Sequence, residues 1–191
     1  MMVVQTTKHV VYGGNSLSKR FVLPALAALV VLVALAVPAL ASGILNFRTH
    51  LSGQNEVPAR ATLAQGQVTF QLNADGTELS YRLNTANITN VFQAHIHLGP
   101  AGANGPIVVW LYPSAPPPVS IPGRSDGVLA TGTITAANLT GPLAGQPLSA
   151  LIDAIEAGNT YVNVHTNDFV DPTNTGPGDF PGGEIRGQVQ D

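Results

Sequence analysis

The sequence predicts an all-β fold: an antiparallel β-sandwich or flattened barrel of about eight strands with one short helix. Three observations favour it. Short segments alternate apolar and polar side chains, which is the period of a half-buried strand. Turns rich in Asp, Gly and Pro separate these segments. Only one segment after residue 42 has helical periodicity, so there is no strand–helix–strand rhythm, and one-sided alternation favours antiparallel sheets.

The N-terminal region, residues 1–41, has the three parts of a secretory signal. The basic pair Lys19-Arg20 precedes an apolar run over residues 21–41, and Ala39-Leu40-Ala41 forms a small-residue cleavage site. The alternative is an uncleaved signal anchor, because 21 apolar residues are long enough to span a bilayer. Both interpretations place residues 42–191 outside the cytoplasm as one domain.

The composition of residues 42–191 excludes several classes of protein. The chain contains no Cys, which excludes a disulfide framework and a lipid-modified Cys. Five Arg and no Lys oppose all 11 acidic residues in this region. An acidic domain with scattered Arg is unsuited to nucleic acid or to anionic membranes. We therefore expect no nucleic-acid partner, and membrane association only if the apolar segment is not cleaved.

Eight segments with strand character follow the signal region. They are Ile44–Leu51, Gln67–Asn73, Glu78–Asn84, Val91–Leu98, Ile107–Tyr112, Val128–Thr135, Tyr161–Thr166 and Glu184–Gln190. Asp75-Gly76 predicts a tight hairpin between the second and the third. Five Pro residues predict that Pro113–Arg124 is a loop. Asp168–Gly183 reads as a second long loop, and Pro147–Ala157 is the helix, ending before Gly158.

The hairpin Val91–Tyr112 contains two of the five histidines. Its first strand alternates an apolar row with a polar row that carries His95 and His97, and we expect the polar row to face water. A turn rich in Gly and Pro follows at residues 99–106. The function of this histidine pair is the main question that the sequence raises.

Several of these segments together resemble the CHRD domain, a module named for the animal protein chordin and also found in secreted microbial proteins. The matching segments are Leu51-Ser52-Gly53, Glu56-Val57-Pro58, Leu79-Ser80-Tyr81, His95-Ile96-His97 with Gly99-Pro100 and Gly105-Pro106, Tyr161–Thr166 and Gly183–Gln188. The resemblance implies a β-rich extracellular module and no established enzymatic reaction. In chordin the modules belong to an antagonist that binds growth factors. This chain lacks the Cys-rich repeats found there, so that role is not carried over.

His95, His97 and His165 form the best candidate for a metal site. A His-x-His pair on a strand places both imidazoles on one face, and a third His from another strand would complete the site. Neutral imidazoles suit Zn²⁺ or Cu²⁺, with Glu184, Asp168 or Asp179 as a source of a carboxylate. The pair is similar to the copper-binding strand of Cu,Zn superoxide dismutase. The predicted sandwich is either similar to that of Cu,Zn superoxide dismutase or immunoglobulin-like.

A structural interpretation of the same residues remains open. The histidines can belong to a polar network that joins the hairpins and binds no metal. The candidate members of such a network are Glu184, Arg186, Asn163, Tyr161 and Glu56. In this interpretation Glu184 and Arg186 form a surface ion-pair ladder with cross-strand partners such as Arg82 or Glu78.

The leading functional interpretation is a secreted or surface-exposed module that binds an extracellular protein or polymer. No nucleophile motif, paired His and Glu on a helix or phosphate-binding loop is present in the sequence. The alternative is a Cu- or Zn-binding protein, or a superoxide dismutase-like oxidoreductase, that uses the three histidines. A third interpretation is a structural coat or matrix protein.

Overall fold

The computed structural model describes residues 9–10, 13 and 45–191. The chain divides into two units, Met1–Ala39 and Leu40–Asp191, and the fold described below belongs to the second. The predicted signal segment lies outside the described residues except at those three positions, so it stays a prediction. None of the helices among the described residues is both long and apolar enough to cross a membrane.

The described residues form seven strands and one α-helix. The strands are β1 (Asn46–Ser52), β2 (Gln65–Leu72), β3 (Leu79–Leu98), β4 (Ile107–Tyr112), β5 (Ile121–Ile134), β6 (Thr160–Thr166) and β7 (Ile185–Gln188). The helix α1 is Leu148–Glu156, and three 3-10 helices occupy Gly53–Asn55, Ala136–Asn138 and Gly141–Leu143. All strand pairings are antiparallel, which confirms the predicted fold class.

Five of the strands close into a flattened barrel. β1 pairs with β2, β2 with β3, β3 with β6, and β6 with β7. The ring closes where β7 meets β1, through the pair Ser52–Arg186 and a bridge between Arg48 and Gln190. β4 and β5 extend the sheet from β3. Closure satisfies backbone groups that an open sheet would leave at its edges.

β3 corrects the predicted strand count. The segments predicted as Glu78–Asn84 and Val91–Leu98 are the two halves of one 20-residue strand. Asn87 and Asn90 adopt positive φ angles between them, and the pairing with β5 shifts register there. Such bulges bend a strand, so the first half of β3 pairs with β2 and the second half with β6.

β5 corrects the predicted loop over Pro113–Arg124. The strand begins at Ile121 and includes Pro122, which the sequence placed in the loop. Pro is tolerated here because β5 pairs with β3 along one side, and Pro122 falls in a register shift between Ile121 and Arg124. The loop prediction is therefore wrong for its last four residues.

The apolar core fills the barrel and continues beneath α1. Inward-facing residues of the strands, such as Leu51, Leu83 and Ile96, are fully buried. The helix buries Leu148, Leu151, Ile152 and Ile155, which are the positions that its periodicity predicted. The opposite face of the sheet β4–β3–β6–β7 carries the polar row, and three connecting segments contact it: loop A (53–64), loop B (99–106) and loop C (167–184).

Candidate metal centre

The structure brings the three predicted histidines together on the outer face of β3 and β6. His95 and His97 lie two apart on β3, and His165 lies on the neighbouring strand β6, which pairs antiparallel with it. Ring centroids are 5.5 Å apart for His95 and His97, 5.0 Å for His95 and His165, and 6.0 Å for His97 and His165. One ligand nitrogen from each ring can be chosen so that all three lie within 4.8 Å of one another.

The expectation that these histidines face water is wrong. The exposed fractions are 0 % for His95, 8 % for His97 and 6 % for His165. The reason is tertiary, because loops B and C contact the polar face of the sheet. Alternation along a strand tells which residues share a face, but it does not tell what covers that face.

Two loop carbonyls determine which ring nitrogens carry protons. The Nδ1–H of His97 donates to the carbonyl of Gly105 in loop B at 2.9 Å. The Nδ1–H of His165 donates to the carbonyl of Pro181 in loop C at 2.8 Å. In neutral rings these bonds leave Nε2 of His97 and of His165 without a proton, so each can accept a hydrogen bond or bind a metal. Metal-binding histidines in proteins usually have a partner of this kind on the second nitrogen.

The proton position on His95 follows from His165. Nδ1 of His95 lies 3.1 Å from Nε2 of His165. Because that Nε2 is an acceptor, Nδ1 of His95 carries the proton and Nε2 of His95 is bare. Within the described part of the chain, Nε2 of His95 and Nε2 of His97 are buried and have no hydrogen-bond partner.

The surroundings keep all three imidazoles neutral. Burial, followed by the neighbouring His165 and His97 rings, lowers the pKa of His95 to about 2. Burial likewise lowers the pKa of His165 to about 4, against the opposing effect of its bond to Pro181. The pKa of His97 is lowered mainly by burial and further by Arg186, although the bond to Gly105 acts in the opposite direction. Neutral imidazole is the form that binds metal.

Aromatic rings surround the three histidines. The Trp110 ring lies edge-on to His95, with centroids 4.3 Å apart. Tyr161 stacks on His97 at 4.8 Å, with an angle of 8° between the rings. Phe92 meets His165 edge-on at 6.2 Å. Such walls limit water access and hold the rings in place.

The residues present fit a transition-metal ion. The donor set is three neutral imidazoles, and two of its nitrogens are buried without a partner. Bonds from Zn²⁺ to imidazole nitrogen are about 2.0–2.1 Å long, so two nitrogens that bind one ion lie at most about 4.2 Å apart, and nitrogens spaced within 4.8 Å would draw closer together around it. Three protein ligands leave a further coordination position open.

The carboxylates predicted as additional ligands do not join this group. Among the described residues, one group of side chains lies close enough together to hold a metal ion, and it contains only the three histidines. Glu184 is fully buried and accepts hydrogen bonds from Thr62, Thr166 and the N–H of Gly178. Asp179 accepts hydrogen bonds from Thr175. These acids stabilise loops A and C.

The proposed surface ladder of Glu184 and Arg186 is also wrong, because both side chains are buried. The Arg186 guanidinium lies 3.3 Å from the Tyr161 ring centroid. It donates to the carbonyls of Pro100 and Ala103 and to Oδ1 of Asn104 in loop B. The arginine therefore links loop B to the aromatic wall of the histidine cluster.

The remaining residues of the predicted polar network are close to the histidines. Asn163 lies opposite His95 in the β3–β6 register, and its Nδ2 donates to both carboxylate oxygens of Glu56, at 2.9 and 3.1 Å. Burial raises the pKa of Glu56 to about 7, although Arg186 and Arg60 oppose this. Tyr161 accepts a hydrogen bond from the N–H of Gly105 through its hydroxyl oxygen. Glu56 and Asn163 are thus bonded to each other beside the cluster, and Tyr161 is bonded separately to loop B.

A separate polar pocket of about 750 Å³ lies beside this network. Glu56 and Arg186 line it together with His50, Arg48 and several amide side chains. The three clustered histidines do not line it. Glu56 therefore contacts the pocket on one side and Asn163 on the other.

Sequence reasoning missed three residues of the centre. Trp110 is half-buried and contacts His95, which the pattern of the strand Ile107–Tyr112 did not indicate. The carbonyls of Gly105 and Pro181 were not anticipated. A Gly-Pro turn directly after the His-x-His strand was the available signal for Gly105, and no pattern pointed to Pro181.

Comparison with known proteins identifies a family. The model of the CHRD domain matches residues 47–172, which is more than half of the chain. Neither a curated protein nor a solved structure matches. The matched range includes all three histidines, Glu56 and Asn163, and it ends before Glu184 and Arg186. Domains of this family are typically extracellular β-modules, and the chain belongs to the CHRD domain family.

Proposed function

We propose that this CHRD domain is an extracellular module that binds a transition-metal ion, Zn²⁺ or copper, through His95, His97 and His165. One observation carries the proposal: three neutral, buried imidazoles converge, and two of them are oriented by loop carbonyls. His97 and His165 would bind through Nε2, and His95 completes the set. A bound Zn²⁺ would polarise water, whereas copper would supply one-electron chemistry.

Metal analysis of protein purified without a His-tag tests this proposal. We expect one ion per chain, and loss of that ion in the His95→Ala/His97→Ala variant. His50→Ala is the matched control, because His50 is exposed on β1 and is not part of the cluster.

Trp110 provides an independent readout, because it is the single Trp of the chain and its ring contacts His95. Titration with Cu²⁺ is expected to quench the fluorescence of the wild type and of His50→Ala, but not of the double variant. A metal-free wild type with unchanged fluorescence, together with a double variant that only melts at lower temperature, would establish the structural interpretation instead.

The polar pocket favours a second candidate function, the binding of an extracellular protein or polymer. Its lining combines Arg48, His50 and Glu56 with the amides of Gln54 and Gln67, which suits hydrogen-bonding ligands. A pull-down with the tag-free domain from extracellular material tests it, with Gln54→Ala/Gln67→Ala as the variant. Equal recovery by wild type and variant, across low and moderate salt, would contradict a role for this pocket.

Export through the N-terminal segment is part of the same proposal. The basic pair at residues 19–20, the apolar run and the small residues before Ser42 support it. N-terminal sequencing of the protein recovered outside the cell is expected to begin at Ser42. A membrane-bound product that retains residues 21–41 would favour the signal anchor.

A further inference from the structure

The three histidines have a polar neighbour on the same face of the sheet, Asn163. On β6 it lies opposite His95 of β3 and opposite Arg186 of β7, two residues before His165. Side chains directly opposite each other in an antiparallel pair have Cβ atoms about 4.5–5.5 Å apart. Asn163 is 3 % exposed, so its amide lies under the same loops as the three imidazoles.

Glu56 fixes which end of this amide is available. Both carboxylate oxygens of Glu56 accept from Nδ2 of Asn163, and Oδ1 has no hydrogen-bond partner within the part of the chain that the structure describes. Buried acceptors of this kind are rare in folded proteins, because an unmade hydrogen bond costs about 1–3 kcal/mol. Among the described residues, three such atoms belong to this one face: Oδ1 of Asn163 and Nε2 of His95 and His97.

Gly183 lets the backbone of loop C approach the Asn163 amide closely, since a Cβ there would overlap Nδ2 of Asn163. A Cβ at this position would lie 2.7 Å from Oε1 of Glu56 and 2.9 Å from Oδ1 of Asn163. The residue also has a φ of 126°, which L side chains rarely adopt. Loop C therefore passes over Asn163 and Glu56 at a glycine, where a side chain would displace them.

We propose that Asn163, held by Glu56, accepts a hydrogen bond from the non-protein ligand of the metal centre, and that this ligand is water or a hydroxyl-bearing molecule. The inference rests on the proposed metal binding. The chemical class of this ligand follows from the acceptor at Oδ1 of Asn163 and the carboxylate of Glu56 behind it. Both favour an O–H donor and disfavour an anion. Asn163 and Glu56 are therefore positioning residues.

Azide binding to the copper-loaded full-length protein tests the inference. Asn163→Leu removes the acceptor at similar volume, and we expect azide affinity, followed by visible absorption, to rise about tenfold, the equivalent of one hydrogen bond. We also expect the electron–nuclear double resonance signal of exchangeable protons near Cu²⁺ to weaken. Gln93→Leu is the matched control, because Gln93 shares this face and lies opposite His165, yet is not part of the proposed contact.

Glu56→Gln provides a second variant if Asn163→Leu does not fold. It keeps the shape of the side chain but removes the carboxylate, and we expect it to raise azide affinity as well. Unchanged azide affinity and unchanged proton couplings in copper-loaded variants would overturn the inference while leaving metal binding intact. Failure of the proposed function would look different, because the wild type itself would then take up no copper.

Discussion

His97 and His165 share one local arrangement: each ring donates its Nδ1–H to a carbonyl in a different loop. The arrangement fixes both the ring orientation and the tautomer, so each Nε2 carries no proton before any metal arrives. His95 lacks a carbonyl partner and bonds to His165 instead. At the scale of single residues, two of the three proposed ligands are therefore oriented by carbonyls, and metal binding would require His95 to give up its bond to His165.

Glu56 predicts a pH dependence of stability in the metal-free protein. Its folded pKa of about 7 lies above the ordinary 4.5, so the folded state binds the extra proton between these values. The stability that this proton contributes is present below about pH 4.5 and is lost as the pH rises through 7. Relative to Glu56→Gln, we expect the wild type to lose roughly 2–3 kcal/mol between pH 4.5 and pH 8.

Urea unfolding of both proteins at several pH values measures this difference. The buried histidines act in the opposite direction, because their lowered pKa values reduce stability as the pH falls below 6.5. Their contribution cancels in the comparison, since both proteins retain them. A stability difference that is constant with pH would contradict the assignment to Glu56.

Removal of the Glu184 side chain is expected to destabilise the fold strongly without a direct effect on the histidines. Its carboxylate accepts hydrogen bonds from Thr62, Thr166 and Gly178 and thereby links loop A, β6 and loop C. Glu184→Ala leaves these buried donors unpaired, and we expect a loss of about 3 kcal/mol in the free energy of unfolding. Glu78→Ala, at an exposed acid, should change it by less than about 0.5 kcal/mol. Similar values for the two variants in chemical denaturation would contradict this role.

At the scale of elements, loop B connects the histidine cluster to the rest of the polar network. Gly105 alone makes one contact with the cluster and one with its aromatic wall, since its carbonyl accepts from His97 and its N–H donates to Tyr161. Arg186 holds the same loop through two further carbonyls and Asn104. The loop that turns the chain between β3 and β4 therefore also orients the His97 ring.

Gly105→Ala is expected to disrupt this element. A Cβ at Gly105 would overlap the backbone carbonyl of Leu98, so the loop must move and the bond to His97 must lengthen or break. Loss of such a partner of a metal-binding His typically costs 10–100-fold in metal affinity, and we expect a loss of about that size here. Gly176→Ala is the control, because a Cβ there meets no atom within 4 Å. Calorimetric titration with Zn²⁺ compares them, and equal affinities would exclude a role for loop B.

At the scale of the whole molecule, the histidine cluster joins parts of the chain that are distant in sequence. It draws on β3 and β6 of the closed barrel and is fixed by loops B and C. An ion bound there would bind only the folded chain, because the unfolded chain does not bring these residues together. Metal binding and folding should therefore be coupled.

Thermal unfolding with and without metal measures this coupling. With free Zn²⁺ at 100 times its Kd, stabilisation should be about 2.7 kcal/mol. For a domain of this size that raises Tm by roughly 5–10 °C. Mg²⁺ at equal concentration should have no effect, because it prefers oxygen ligands. His97→Phe should abolish the Zn²⁺ effect; a Zn²⁺ shift that survives in this variant would place the ion elsewhere.

Local patterns in the sequence were sufficient for the fold class and for the candidate ligands. Alternation predicted most strands and the shared face of His95 and His97, and apolar spacing predicted α1. Bulges and edge positions were not predictable in the same way. The alternation breaks near Asn87 and Asn90, where β3 continues through register shifts, and Pro122 is acceptable only because of where β5 lies in the sheet.

The sequence by itself determined that this chain forms antiparallel strands. It also determined that His95, His97 and His165 lie on the polar faces of their strands, because side-chain direction in a strand depends only on position along it. The tertiary structure decided that this face is buried, that carbonyls of Gly105 and Pro181 orient two rings, and that Glu56 fixes Asn163. These contacts join loops to strands far away in the chain, and no local pattern encodes which loop covers which face.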